Sequence, residues 1–167
     1  NLGPLTVEGL MESVFGMLEP IAREKNIELS ALPNQELEFV GDADRLNQVL
    51  VNLVANAIKF SEPDSKIVVA ASETSDHVRV EVRDAGRGVP DHLKQTVFER
   101  FKQVDAGDAA KRRGTGLGLA ISKAIIERHG GAIGVEDNRS ENPDAKKGSV
   151  FWFTLPKADE KASADEA

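Results

Sequence analysis

Cysteine is absent from this chain, so disulfides, thiolate metal sites and thiol nucleophiles are excluded, and cysteine usage leaves the redox compartment open. Long apolar runs are missing too. None approaches the roughly 20 residues that a membrane span requires, and no signal-peptide pattern opens the sequence. The expectation is a water-soluble piece without direct membrane contact. Basic residues are in deficit: 21 Lys and Arg stand against 28 Asp and Glu, a formal net charge of -7. A phosphate-backbone binder normally clusters positive charge, so nucleic acid is not an expected partner. No internal repeat is visible.

What is present suffices for one domain with a real core: 167 residues, 40% apolar and 29% charged. Residues 1–5 read as the end of a linker, 6–156 as the domain, and 157–167 as a charged, disordered tail. Over 6–25, Val7, Leu10, Met11, Val14, Leu18, Ile21 and Ala22 recur at helical spacing, with Pro20 expected to kink or split the helix near Glu19. Alternation of Ile27, Leu29 and Ala31 predicts a strand over 27–32, and a short one follows over 37–40. Asp42 is placed to cap a helix over 43–60 whose apolar face holds Leu46, Val49, Leu50, Leu53, Val54, Ala57 and Ile58. Strands are predicted over 66–72 and 77–83, the second alternating Val78, Val80 and Val82 with charges in a half-buried antiparallel pattern. A short helix is expected over 91–101 with Leu93, Val97, Phe98 and Phe101 inward. An apolar helix over 117–129 is stopped by Gly130 and Gly131. Strands over 132–136 and 149–155, joined by a polar loop at 138–147, close the sheet.

Two glycine clusters organise this chain. Asp84-Ala85-Gly86-Arg87-Gly88-Val89-Pro90 follows a strand, and Gly114-Thr115-Gly116-Leu117-Gly118-Leu119 opens a helix. Glycine lets main chain approach a ligand closely. A helix N-terminus offers phosphate its unpaired N–H groups, with Thr115 as an extra donor. Between the clusters, 102–113 has no periodicity and reads either as a lid or as a plain flexible loop. Asn52, Asn56 and Lys59 share one face of the 43–60 helix. They are either a solvated surface or a working set, and asparagine is a poor helix former. Asp84 is either a cap for the following helix or a buried acceptor for the exocyclic amine of adenine. A nucleotide triphosphate brings Mg²⁺, which prefers oxygen ligands and retains waters. The amide oxygen of Asn56 is a candidate ligand, and Lys59 is a candidate point cation for phosphate.

Asp44-Arg45-Leu46, Gln48-Val49-Leu50, Asn52-Leu53 and Asn56-Ala57-Ile58-Lys59-Phe60 resemble the asparagine box of bacterial sensor histidine kinases. Asp84, Gly86 and Gly88 resemble their first glycine box, Phe98-Glu99-Arg100-Phe101 the phenylalanine box, and 114–119 the second glycine box. His129-Gly130-Gly131 and the run from Gly148 to Pro156 are similar to the closing segments. The resemblance spans about 7–156. It implies the ATP-binding catalytic domain of a two-component kinase, in the superfamily of gyrase, Hsp90 and mismatch-repair ATPases. The implied fold is an α/β two-layer sandwich of Bergerat type, a mixed β-sheet under helices, with an ATP lid between the glycine boxes. By resemblance, ATP or ADP is contacted by Asn52, Asn56, Lys59, Asp84, Gly86, Gly88, Gly114, Thr115, Gly116, Leu117 and Gly118. Within that set Asp84 accepts from the adenine amine, Asn56 binds Mg²⁺, Asn52 and Lys59 line the phosphates, and Gly116 and Gly118 shape the lid hinge. Phe98 and Phe101 anchor the lid. Lys111-Arg112-Arg113 departs from the family by replacing a glycine often found before Gly114, and either stiffens the lid or adds a phosphate cation.

The ATPase branch carries a glutamate base four residues before the metal-binding asparagine. Here that position is Asn52, which cannot take a proton from water, so slow hydrolysis and an external acceptor are implied. The family's acceptor histidine lies in an upstream helical dimerisation domain, and none of His77, His92 and His129 has that context, so all three read as structural or surface residues. The implied function is γ-phosphate transfer to a histidine-bearing dimerisation domain of the same kinase, with a response regulator downstream and a cytoplasmic location. Without the acceptor domain no autophosphorylation is expected. A non-transferring nucleotide-binding interaction module and a slow ATPase are the alternatives. An anti-sigma-type serine kinase shares the fold, but the Asn52/Asn56/Lys59/Phe60 pattern and the phenylalanine box favour the histidine branch.

Overall fold

A computed structural model describes residues 1–32, 37–99, 118–138 and 148–157. Its elements in order are β1 (Gly3–Thr6), α1 (Val7–Glu24), β2 (Glu28–Ala31), β3 (Glu38–Gly41), α2 (Ala43–Phe60), β4 (Lys66–Glu73) and β5 (His77–Arg83). Two 3₁₀ turns follow (Asp91–Leu93 and Thr96–Phe98), then α3 (Gly118–Arg128), β6 (Ala132–Asn138) and β7 (Gly148–Pro156). The main sheet has the order β2-β4-β5-β7-β6. The β2–β4 pair is parallel and the other three pairs are antiparallel, so the sheet is mixed. Alternation along β5 buries Val78, Val80 and Val82 in the same core as the inner faces of α1, α2 and α3. On the opposite face Arg79 and Arg83 flank Glu81 at 2.9 and 3.0 Å, and the Arg79 guanidinium lies 4.6 Å from the Trp152 ring centroid. This is the two-layer α/β sandwich that the sequence implies.

The middle helix, α2, is fixed at both ends. Asp42 Oδ1 accepts the N–H groups of Asp44 and Arg45 at 3.1 and 3.3 Å, satisfying two of the donors that a helix start leaves open. At the other end Lys25 Nζ donates to the carbonyls of Ile58 and Lys59, both at 3.0 Å, a cation on the negative end of the helix. Between them Leu46, Val49, Leu50, Leu53 and Val54 are wholly buried, each leucine contributing about 1.5–3 kcal/mol of burial. His129 Nε2 accepts the Asp42 N–H at 3.1 Å while Nδ1–H donates to the Ile125 carbonyl at 2.8 Å. That ties the end of α3 to the start of α2 and fixes the neutral tautomer. His129 is therefore structural, as its sequence context suggests, and His77 sits at a turn beside Asp76 at 2.9 Å.

Several expectations need correction. Residues 1–5 are not simply a linker: Gly3–Thr6 pairs antiparallel with β3, Leu5 packs against the core, and Thr6 Oγ1 caps α1 by accepting the Gly9 N–H at 3.1 Å. Pro20 does not split α1. It lies on the exposed face, where the Gly16 carbonyl that loses its donor can turn to water. The helix expected over 91–101 is two 3₁₀ turns instead. Neither turn has a side-chain cap, the Thr96 hydroxyl donates to the Leu93 carbonyl at 3.1 Å, and Glu99 is already extended at φ -83°, ψ 150°. Residues 100 and 101 lie outside the described residues. β6 continues to Asn138, shortening the predicted loop. Lys157, expected to open the tail, bridges to Phe39 and its N–H donates to the Asp76 carbonyl at 2.9 Å; residues 158–167 lie outside the described residues.

Candidate functional site

β5 runs beside β7 as far as the Arg83–Val150 pair, and Asp84 comes next. Its N–H donates to the Ser149 carbonyl at 2.9 Å. Its Oδ1 accepts the N–H groups of Gly86 at 2.9 Å and Ser149 at 3.2 Å. Oδ2 takes no hydrogen bond among the described residues. With only 4% of its surface exposed, the carboxyl is pushed above its ordinary range by burial, against the pull of the two N–H donors. This bears on one of the two roles left open by the sequence. Asp84 does not cap the segment after it: that 3₁₀ turn starts at Pro90 with no side-chain cap. Asp84 is a buried carboxyl with one oxygen pinned by two N–H groups and the other without a hydrogen bond among the described residues.

The turn that follows is held against α2. A Cβ at Gly86 would lie 2.6 Å from the Phe60 carbonyl oxygen and 3.1 Å from Asp84 Oδ1, so only glycine allows the approach. Gly88 has φ +76°, the left-handed region that glycine enters without penalty. Above this contact the Phe60 ring receives two cations, Lys59 Nζ at 5.8 Å and the Arg87 guanidinium at 5.2 Å from its centroid.

Asn52, Asn56 and Lys59 are half-buried on α2, not fully solvated. The Asn56 side chain makes no hydrogen bond among the described residues. Asn52 Nδ2 donates to the Gly118 carbonyl and to Ser122 Oγ, both at 3.2 Å. Gly118, the last glycine of the second cluster, is the first residue of α3. A single helix thus touches both glycine elements, at Phe60–Gly86 and at Asn52–Gly118. Phe98 is buried and meets Phe151 edge-on, centroids 6.2 Å apart at 72°, so its reading as an inward position holds. Phe101, Lys111, Arg112, Arg113, Gly114, Thr115, Gly116 and Leu117 lie outside the described residues.

Three contributors were missed from sequence. Ser122 is wholly buried and partners Asn52. Asn138 Nδ2 donates to the Asp84 carbonyl at 2.9 Å. Gly148 abuts Asp84 so closely that a Cβ would fall 1.8 Å from its carbonyl oxygen. Gly148 and Asn138 face each other across β6 and β7, but their contact with Asp84, more than fifty residues earlier in the chain, is one that no local pattern announces.

A buried carboxyl behind a glycine turn, an uncommitted amide on the adjoining helix and a second glycine element at that helix's midpoint define a nucleotide-binding α/β sandwich. The family model for histidine kinase-, DNA gyrase B- and HSP90-like ATPases matches residues 41–159, and the chain belongs to this family. It is similar to the sensor histidine kinase AruS of Pseudomonas aeruginosa, 41% identical over 158 residues that cover 90% of this chain and 15% of AruS. The nucleotide-free catalytic domain of the histidine kinase ThkA superposes with a TM-score of 0.79 at 34% identity, covering 94% of this chain and 96% of that domain. ThkA in complex with the response regulator TrrA gives 0.75 at 32%, covering 94% of this chain and 42% of that one. Full-length ShkA in complex with AMPPNP gives 0.76 at 34%, covering 95% of this chain and 31% of that one. Within the family, then, this is a histidine kinase catalytic domain. No described helix is long and apolar enough to cross a membrane.

Proposed function

We propose that this domain binds Mg²⁺–ATP and donates the γ-phosphate to a histidine on a separate dimerisation domain of the same kinase, from which it passes to a response regulator. The carrying observation is the junction of α2 with both glycine elements, through Phe60–Gly86 and Asn52–Gly118. In this reading Asp84 Oδ2 accepts from the adenine amine, and Gly86 and Gly88 let the turn close on the base. Lys59 offsets phosphate charge, while Gly114, Thr115, Gly116, Leu117 and Gly118 wrap the phosphates. Phe98 and Phe101 hold the lid against the core.

Mg²⁺ fits the residues present. Asn56 offers a hard amide oxygen with no protein partner among the described residues, suited to a cation that takes one or two protein ligands and fills the remainder with water and phosphate. When bound, the ion neutralises phosphate oxygens as phosphoryl charge redistributes. The protein's own contribution is positioning and electrostatics. Asn52 supplies no base, since an amide does not take a proton from water, and this disfavours the ATPase alternative. The AMPPNP bound to ShkA and the regulator bound to ThkA support the choice of nucleotide and partner, and a cytoplasmic location is part of the same reading.

The test is transfer from ATP to the separately supplied histidine-bearing domain of the parent kinase. Acid-labile, base-stable phosphate on that domain is expected. ATP binding without any transfer would instead favour a non-transferring interaction module.

A further inference from the structure

Ser122 has 0% of its surface exposed, and its hydroxyl meets a side chain from another helix, Asn52, at 3.2 Å. A buried serine on an apolar helix usually bonds back to its own backbone, so this cross-helix contact calls for a reason. The Asn52 amide nitrogen carries two hydrogens. One is placed for the Gly118 carbonyl at 3.2 Å and the other for Ser122 Oγ. A carbonyl oxygen only accepts, so the amide cannot be reversed: flipped, its oxygen would face the Gly118 oxygen with no proton between them.

We infer that Ser122 is a positioning residue for the nucleotide site: with the Gly118 carbonyl it engages both Asn52 amide hydrogens and leaves Oδ1 as the only polar atom Asn52 can offer a ligand. The inference rests on the function proposed above and sharpens it. An acceptor oxygen repels phosphate oxygens and attracts a cation or the hydrogens of its water shell. Asn52 therefore serves the Mg²⁺ side of the ligand and makes no donated bond to phosphate, which narrows the phosphate-lining role its sequence position implied. The first turn of α3, leaving the second glycine cluster, sets this polarity through Gly118 and Ser122 together.

The test compares wild type, Ser122→Ala and Ser122→Thr as folded domains with matched melting temperatures. ATP affinity is measured across an Mg²⁺ series, and the Asn52 side-chain amide is followed by ¹⁵N NMR without nucleotide. In Ser122→Ala the Mg²⁺ concentration giving half the tightening should rise about three- to tenfold, the effect of one neutral hydrogen bond. Affinity without Mg²⁺ should hold, and one of the two Asn52 amide hydrogens should shift. Ser122→Thr, which keeps the hydroxyl, should follow wild type. An unchanged Mg²⁺ midpoint in alanine, an equal loss of Mg²⁺-free affinity, or a folded threonine variant that behaves like alanine would overturn the role of Ser122. Wild type without any Mg²⁺-dependent ATP binding would overturn the underlying function as well, a result distinct from the others.

Discussion

Replacing Asp84 by asparagine isolates the atom on which adenine recognition depends. The N–H groups of Gly86 and Ser149 converge on Oδ1 at 2.9 and 3.2 Å. In Asp84→Asn those two donors hold the amide oxygen in that place, because the reverse orientation would set an NH₂ against two N–H groups. The NH₂ is therefore turned to where Oδ2 stood, facing the amine it should have accepted from. The loss combines a hydrogen bond to a charged group, ~1.5–3 kcal/mol, with an unsatisfied donor, ~1–3 kcal/mol. A total of about 2.5 to 6 kcal/mol amounts to roughly two to four orders of magnitude in Kd for ATP. Fold stability should hold or rise, since the turn keeps both backbone bonds and a buried charge is removed. Calorimetric titration with ATP, beside a thermal melt, separates the two effects, and GTP should bind poorly to both proteins. A stable Asp84→Asn variant with wild-type ATP affinity would refute the role assigned to Oδ2.

Other outcomes are equally specific. Asn56→Ala should bind ATP without Mg²⁺ much as wild type does but lose the Mg²⁺-dependent increase; a full Mg²⁺ response in the variant would remove Asn56 from the metal site. Gly148→Ala forces a methyl to 1.8 Å from the Asp84 carbonyl oxygen and 2.8 Å from Ala85 Cα, both backbone atoms. It should cost on the order of 3 kcal/mol in chemical denaturation and weaken ATP binding, and wild-type stability would show that the close approach is dispensable. Burial raises the Asp84 pKa, so the native state holds this proton more tightly than the unfolded chain does. Its contribution to stability is then greatest below the ordinary carboxylate range, falls as pH rises towards the raised native value, and is flat above it. The stability difference between wild type and Asp84→Asn should trace that fall in a pH series of melts, and a difference constant with pH would contradict it.

Where cap, periodicity and stop coincide, the sequence could be read directly. Asp42, the apolar stripe from Leu46 to Ile58 and the polar break after Phe60 delimit α2 at Ala43–Phe60, as expected. The Val78-Val80-Val82 alternation likewise places β5 at His77–Arg83 and hence Asp84 at its end. Asn52 and Asn56 were visible as two polar residues on one face of a long helix, though not the direction of either amide. Harder to see were features whose cause lies far along the chain. Gly3–Thr6 carries no strand pattern of its own and is ordered by pairing with β3. The segment after Pro90 has helical spacing but is too short and too poorly capped to make more than 3₁₀ turns. Ser122 resembles any small residue on an apolar helix until α3 is packed against α2.

The most direct measurement is calorimetric titration of the domain with ATP, with and without Mg²⁺. Saturable binding that tightens with Mg²⁺, and that Asp84→Asn and Asn56→Ala impair in their different ways, is the predicted result. A folded wild-type domain that takes up no ATP under either condition would contradict a nucleotide site between the two glycine elements.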